Sequence, residues 1–171
     1  MDANELRAMQ APLKTRYKEE PQAALMTLRA KGKLGDQSLT CKVETGKALV
    51  EAGLHPATGG DGLSACSGDM LLEALVACAG VTLKAVATAI DIPIKNGIVV
   101  AEGDLDFCGT LGVSKESKVG FSAIRLRFEL NTDASDEQLA TLLKLTERYC
   151  VIYQTLCNPP KVEVSQIREG T

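Results

Sequence analysis

The sequence predicts an α+β domain, an antiparallel sheet with its helices segregated to one side, from three of its features. A run from Ser67 to Asp91 reads as one long buried helix, alternating segments on both sides of it read as strands, and a second amphipathic helix precedes a final alternating segment. With 171 residues, 45% hydrophobic and 24% charged, the chain fits one domain with an appendage and is large enough to bury a real core. Residues 1–24 form the expected helical extension and 25–171 the domain itself.

Leu6, Met9, Leu13 and Tyr17 recur at helical spacing between Asn4 and Ala24, before and around Pro21, which predicts an amphipathic helix or two short turns on the outside of the domain. Leu25 to Leu34 alternates as a strand, and a Gly35-Asp36-Gln37 turn leads into a second strand at Ser38 to Thr45, so the two form a hairpin. A third short strand is expected at Lys47 to Glu51. Gly53 to Ser67 is turn-rich, and its Gly59-Gly60-Asp61-Gly62 core reads as a connector, because a phosphate-cradling loop spaces its glycines and follows a strand directly.

The central run carries only Glu73 and Lys84 as charges between Met70 and Ala89, which predicts a helix packed all round. Its charge-free stretch falls short of the roughly 20 apolar residues a bilayer needs. Ser67 is the expected N-cap, Asp69 lies in the first turn, and the Ile92-Pro93 step ends the helix. The small run Ala77-Cys78-Ala79-Gly80 predicts close approach by a second helix. Downstream, Ile98 to Phe107 and Phe121 to Leu130 read as strands; in the latter Ile124, Leu126, Phe128 and Leu130 share one face while Arg125, Arg127 and Glu129 share the other. Cys108 to Lys118 is a polar loop. Ser135-Asp136-Glu137-Gln138 is a capping box opening a helix whose inward stripe runs Leu139, Leu142, Leu143, Thr146, Tyr149, Cys150 and Tyr153. Asn158-Pro159-Pro160 ends it, and Lys161 to Ile167 alternates as a last strand.

The net charge of −3, with no basic cluster interleaved with aromatics, argues against a nucleic-acid partner. The first 20 residues carry acids from position 2 and lack an apolar core of signal-peptide length, so a cytoplasmic protein without membrane attachment is expected. Six cysteines, Cys41, Cys66, Cys78, Cys108, Cys150 and Cys157, include no Cys-x-x-Cys pair, and His55 is the only histidine, so no metal site is expected. Cys78 and Cys150 lie on inward helix faces. On spacing alone they read as buried core cysteines, which are usually inert without a cationic neighbour.

The segments around these two cysteines, Gly68-Asp69-Met70-Leu71-Leu72-Glu73-Ala74-Leu75-Val76-Ala77-Cys78 and Glu147-Arg148-Tyr149-Cys150, resemble the OsmC/Ohr family of osmotically inducible and organic hydroperoxide resistance proteins. The resemblance spans about Leu25 to Ile167 and leaves the N-terminal segment as an addition. It implies an OsmC-like fold with a long central helix on an antiparallel sheet, assembled as an intertwined homodimer with its thiols at the subunit interface. It also implies reduction of small organic hydroperoxides without a bound cofactor, with Cys78 as peroxidatic nucleophile, Cys150 as resolving partner and an external dithiol as reductant. The family's arginine from the hairpin region corresponds to Arg29, with Lys33 as the other candidate. Arg148 is read as structural or interfacial.

Three positions depart from the family pattern. Proline often follows the second cysteine, where this chain has Val151; the peroxidase branches place a glutamate ten residues before the first cysteine, where it has Gly68 followed by Asp69; and the histidine three residues before the second cysteine is Glu147. Besides the peroxidase reading, a noncatalytic dimer that binds a small apolar ligand and a structural interaction module stay open.

Overall fold

The computed structural model describes residues 3–34, 41–43, 52–63 and 65–166. Helix α1 (Ala3–Glu19) opens the chain as one continuous element and is followed by a 3-10 turn at Pro21–Ala24. Strands β1 (Leu25–Leu34), β2 (Cys41–Val43), β5 (Asn96–Asp106) and β6 (Phe121–Asn131) form an antiparallel sheet in the order β2-β1-β5-β6. The Gly35-Asp36-Gln37 turn and the expected third strand at Lys47–Glu51 lie outside the described residues. A two-residue parallel pair, β3 (Ala52–Gly53) with β4 (Ala65–Cys66), brackets the glycine-rich connector.

Helix α2 (Ser67–Ala89) lies across β1 and β5. Alternation in β5 sends Val99 and Ala101 into the core beneath Leu72, Leu75, Val76 and Leu83 of α2. β6 keeps the expected division, with Ile124, Leu126, Phe128 and Leu130 half-buried and the intervening charged residues exposed. On the outer side Arg125 bridges Asp104 and Glu102 across the β5–β6 pair. Helices α4 (Asp136–Tyr149) and α5 (Val151–Cys157) pack along α2, with Leu142 fully buried. A smaller core, around Tyr17, Ala24, Phe107, Cys108 and Leu111, ties α1 to the one-turn helix α3 (Phe107–Thr110). There the Tyr17 hydroxyl donates to the Ala57 carbonyl at 2.7 Å.

Several expectations need correction. Ser67 is the first residue of α2, not its cap: Cys66 holds the N-cap position and its side chain makes no capping bond. The ladder between β4 and β3 delivers Cys66 in extended geometry directly to the helix, so the last strand residue takes the capping position. Nor is α2 covered all round. Met70, Leu71 and Val81 are each more than a third exposed within a single chain, because one chain supplies one sheet face and two helices, which together cover only one side of α2. Within the small-residue run, Ala79 and Gly80 turn into the core while Ala77 and Cys78 are half-buried. With 23 residues, α2 has the length and apolarity of a membrane span, but its apolar side is packed on the sheet.

The C-terminal helix is not continuous either. Cys150 adopts extended geometry (φ −73, ψ 109) and separates α4 from α5, leaving Tyr149 exposed instead of inward. The expected capping box at Ser135 and Gln138 is present. Finally, residues 158–166 form no strand. Val162 and Val164 are 80% and 93% exposed, since an alternating segment becomes a strand only against a ladder partner and none of the described strands supplies one; Ile167 lies outside the described residues. The loop expected at Cys108–Lys118 contains the end of α3.

Candidate dithiol site

Cys78 sits in the middle of α2 and Cys150 at the joint between α4 and α5. Packing of α4 and α5 on α2 brings the two thiols close enough for each to act on the other's ionisation. Both are free, as are Cys66, Cys108 and Cys157. Cys150 is 1% exposed, while Cys78 is only half-buried, so Cys78 is the member of the pair a reagent reaches first.

The joint at Cys150 determines the electrostatics. A helix start leaves its first backbone N–H groups without intrahelical acceptors, and here sulfur atoms take that place. The Tyr153 N–H donates to the Cys150 sulfur at 3.5 Å, so the thiol caps α5. Burial is the largest single influence on Cys78 and raises its pKa. The N–H of Ile152, the Cys150 thiol, the N–H of Val151 and the Thr82 hydroxyl all favour the thiolate, and together they hold the Cys78 pKa below the usual thiol value. At Cys150 burial again leads and now prevails. The Tyr153 and Ile152 N–H groups oppose it, but the hydrogen bond and charge of Cys78 add to it, and the pKa is pushed up to about 11. The first proton of the pair therefore leaves Cys78, and the resulting anion is held by the proton remaining on Cys150.

An apolar cavity of about 300 Å³ lies against the same elements, walled by Leu75, Ile124, Leu126, Phe128 and Leu143. Glu147, Tyr153 and Cys157 give it a polar part. Leu75 is one helical turn before Cys78.

The predicted residues fall as follows. Cys78 and Cys150 come together. Arg29 and Lys33 occupy β1 positions paired with Glu102 and Ile98, and their side chains lie outside the described residues. Glu147 acts on the Tyr153 phenol and is not among the leading influences on either thiol of the pair. Asp69 precedes Cys78 by ~13 Å of helix rise, and burial raises the pKa of its carboxyl. Arg148 stacks over the neighbouring Tyr149 ring at 5.4 Å. Sequence reasoning missed the donors from Val151, Ile152 and Thr82. A signal was available, because proline at the position after the second cysteine is the residue a helix tolerates at its first position, and it marks a helix start at 151. Among the described residues, no three His, Cys, Asp or Glu side chains gather as a metal-holding group.

Residues 59–165, more than half of the chain and including both cysteines, match the family model for OsmC-like protein. The chain belongs to the OsmC-like family. No curated protein matches it. Among solved structures, the OsmC-like chain is similar to an OsmC-like hydroperoxide resistance protein from Jannaschia sp. CCS1, at 13% identity and a TM-score of 0.61, covering 86% of this chain and 97% of that one. It is also similar to an OsmC-like protein from Mycoplasma pneumoniae, at 16% identity and a TM-score of 0.55, covering 79% and 86%. At these identities the likeness establishes the shared fold. Helix α1 precedes the residues the family model matches.

Proposed function

We propose that this OsmC-like protein is a cytoplasmic, thiol-dependent peroxidase that reduces small organic hydroperoxides. The observation that carries the reading is a half-buried Cys78 whose pKa is lowered, beside a second thiol, Cys150, whose pKa is raised. The Cys78 thiolate attacks the terminal oxygen of the hydroperoxide. The O–O bond breaks, the alkoxide takes a proton and leaves as alcohol, and Cys78 becomes a sulfenic acid. Cys150 then bonds to the Cys78 sulfur, and its proton leaves with the sulfenic hydroxyl as water. An external dithiol supplies two electrons to reopen the disulfide. The neighbouring apolar cavity suits the organic part of the peroxide. The family resemblance assigns the supporting cation to Arg29, or to Lys33 in its place.

Separate replacements of the two cysteines test the assignment. Cys78→Ser should abolish consumption of cumene hydroperoxide with little loss of stability, since the side chains are nearly isosteric. Cys150→Ser should leave a sulfenic acid at Cys78 that dimedone traps. Turnover at the wild-type rate in Cys78→Ser overturns the mechanism, and saturable binding of an apolar ligand without thiol loss points instead to a noncatalytic binding protein.

A further inference from the structure

A second cavity, of about 370 Å³, opens at the N-terminal end of α2. It is bounded by Ser67 and Gly68, and Cys78 lies ~15 Å further along the helix. Its walls are mostly apolar, with Leu54, Leu71, Phe107, Val119 and Phe121 among them. Three of these expose apolar surface, Leu54 at 43%, Leu71 at 38% and Val119 at 74%, so a ligand seated there removes hydrocarbon from water. The Phe121 ring packs against Gly103, in the space a Cβ there would need.

The one histidine of the chain lines this cavity in a fixed state. The His55 ring stacks on Phe107 with centroids 5.0 Å apart and 18° between planes. Its Nδ1 accepts the Ala57 N–H at 3.0 Å, which leaves Nε2 as the ring nitrogen that can donate into the cavity. Among the described residues Nε2 makes no hydrogen bond. The site thus combines apolar walls with a single ring N–H donor, and burying an anion against those walls is costly. We propose that this cavity binds a small, uncharged apolar molecule through one acceptor oxygen, a ketone or quinone carbonyl received by His55 Nε2–H. This site is independent of the dithiol chemistry.

Because His55 is the only histidine, its ring resonances identify themselves in a ¹⁵N-labelled full-length chain. Titration with 2-octanone should shift the Nε2 signal saturably, and octanoate should bind more weakly. His55→Asn retains an acceptor for the Ala57 N–H but withdraws the ring donor; it should weaken ketone binding, followed by calorimetry, about three- to tenfold, the range of one neutral hydrogen bond. Val119→Asp, at an exposed position, should weaken it further while leaving Cys78 alkylation unchanged. Three results overturn the proposal: no saturation, octanoate binding at least as tightly as the ketone, or ketone binding that leaves the ring signal unmoved. A ring signal that moves with protein concentration and not with ketone assigns the cavity to a second copy of the chain and overturns it equally.

Discussion

Cys78 and Cys150 are chemically identical side chains, and their different acidities come from which donors reach each sulfur. Burial raises both, yet Cys78 collects the N–H groups of Ile152 and Val151 together with two side-chain donors, whereas Cys150 faces the developing charge of Cys78. The position where this chain departs from the family's proline is therefore an additional donor. Val151→Pro should remove one N–H from the thiolate while preserving the helix start, because proline fits the first helical position. Alkylation of Cys78 by iodoacetamide at pH 7, read by peptide mass, should slow about three- to tenfold. Unchanged labelling would remove Val151 from the site. The pH dependence has a defined sign. A lowered pKa keeps Cys78 ionised at pH values where a free thiol is still protonated, so its labelling should rise and level off below the usual thiol range, with Cys150 following only near its pKa of about 11. In the same assay, Arg29→Ala or Lys33→Ala should move the Cys78 profile upward if the β1 cation supports the thiolate.

At the level of elements, regular periods were readable and their interruptions were not. β1, β5 and β6 follow from two-residue alternation, and α4 begins at its capping box, since those signals are local in the chain. The break at Cys150 left no mark on the apolar stripe, because Thr146, Cys150 and Tyr153 keep helical spacing through it. The same break creates the site, so the two cysteines were legible while their activation was not. Residues 161–166 failed in the opposite sense. Their alternation is local, but a strand also needs a partner, and sequence cannot say whether one is available. Helix α4 holds Cys150 against α2, near Cys78. Leu142→Ala, which hollows the fully buried contact one turn before Thr146, should cost about 2–5 kcal/mol in urea unfolding. Ser135→Ala, which removes only the capping hydroxyl, should cost about 1 kcal/mol and leave the dithiol intact.

For the whole molecule, the open side of α2 is the main unfinished surface. Met70, Ala74, Val81 and Thr88 are exposed at helical spacing with Ala77 half-buried among them, and Cys78 borders this stripe. Small and apolar residues in that pattern suit a helix crossing, the interface expected of an intertwined dimer. Sedimentation equilibrium should give a dimer at micromolar concentration, and Val81→Glu should weaken it; a stable folded wild-type monomer would contradict this assembly. The redox chemistry is read from the intact mass of the reduced protein. One equivalent of cumene hydroperoxide should lower the mass by about 2 Da per chain, for the two hydrogens lost in forming a disulfide, with Cys78 linked to Cys150 in the peptide digest. A mass that stays unchanged, or oxidation confined to other cysteines while Cys78 labels only above pH 9, would contradict the account.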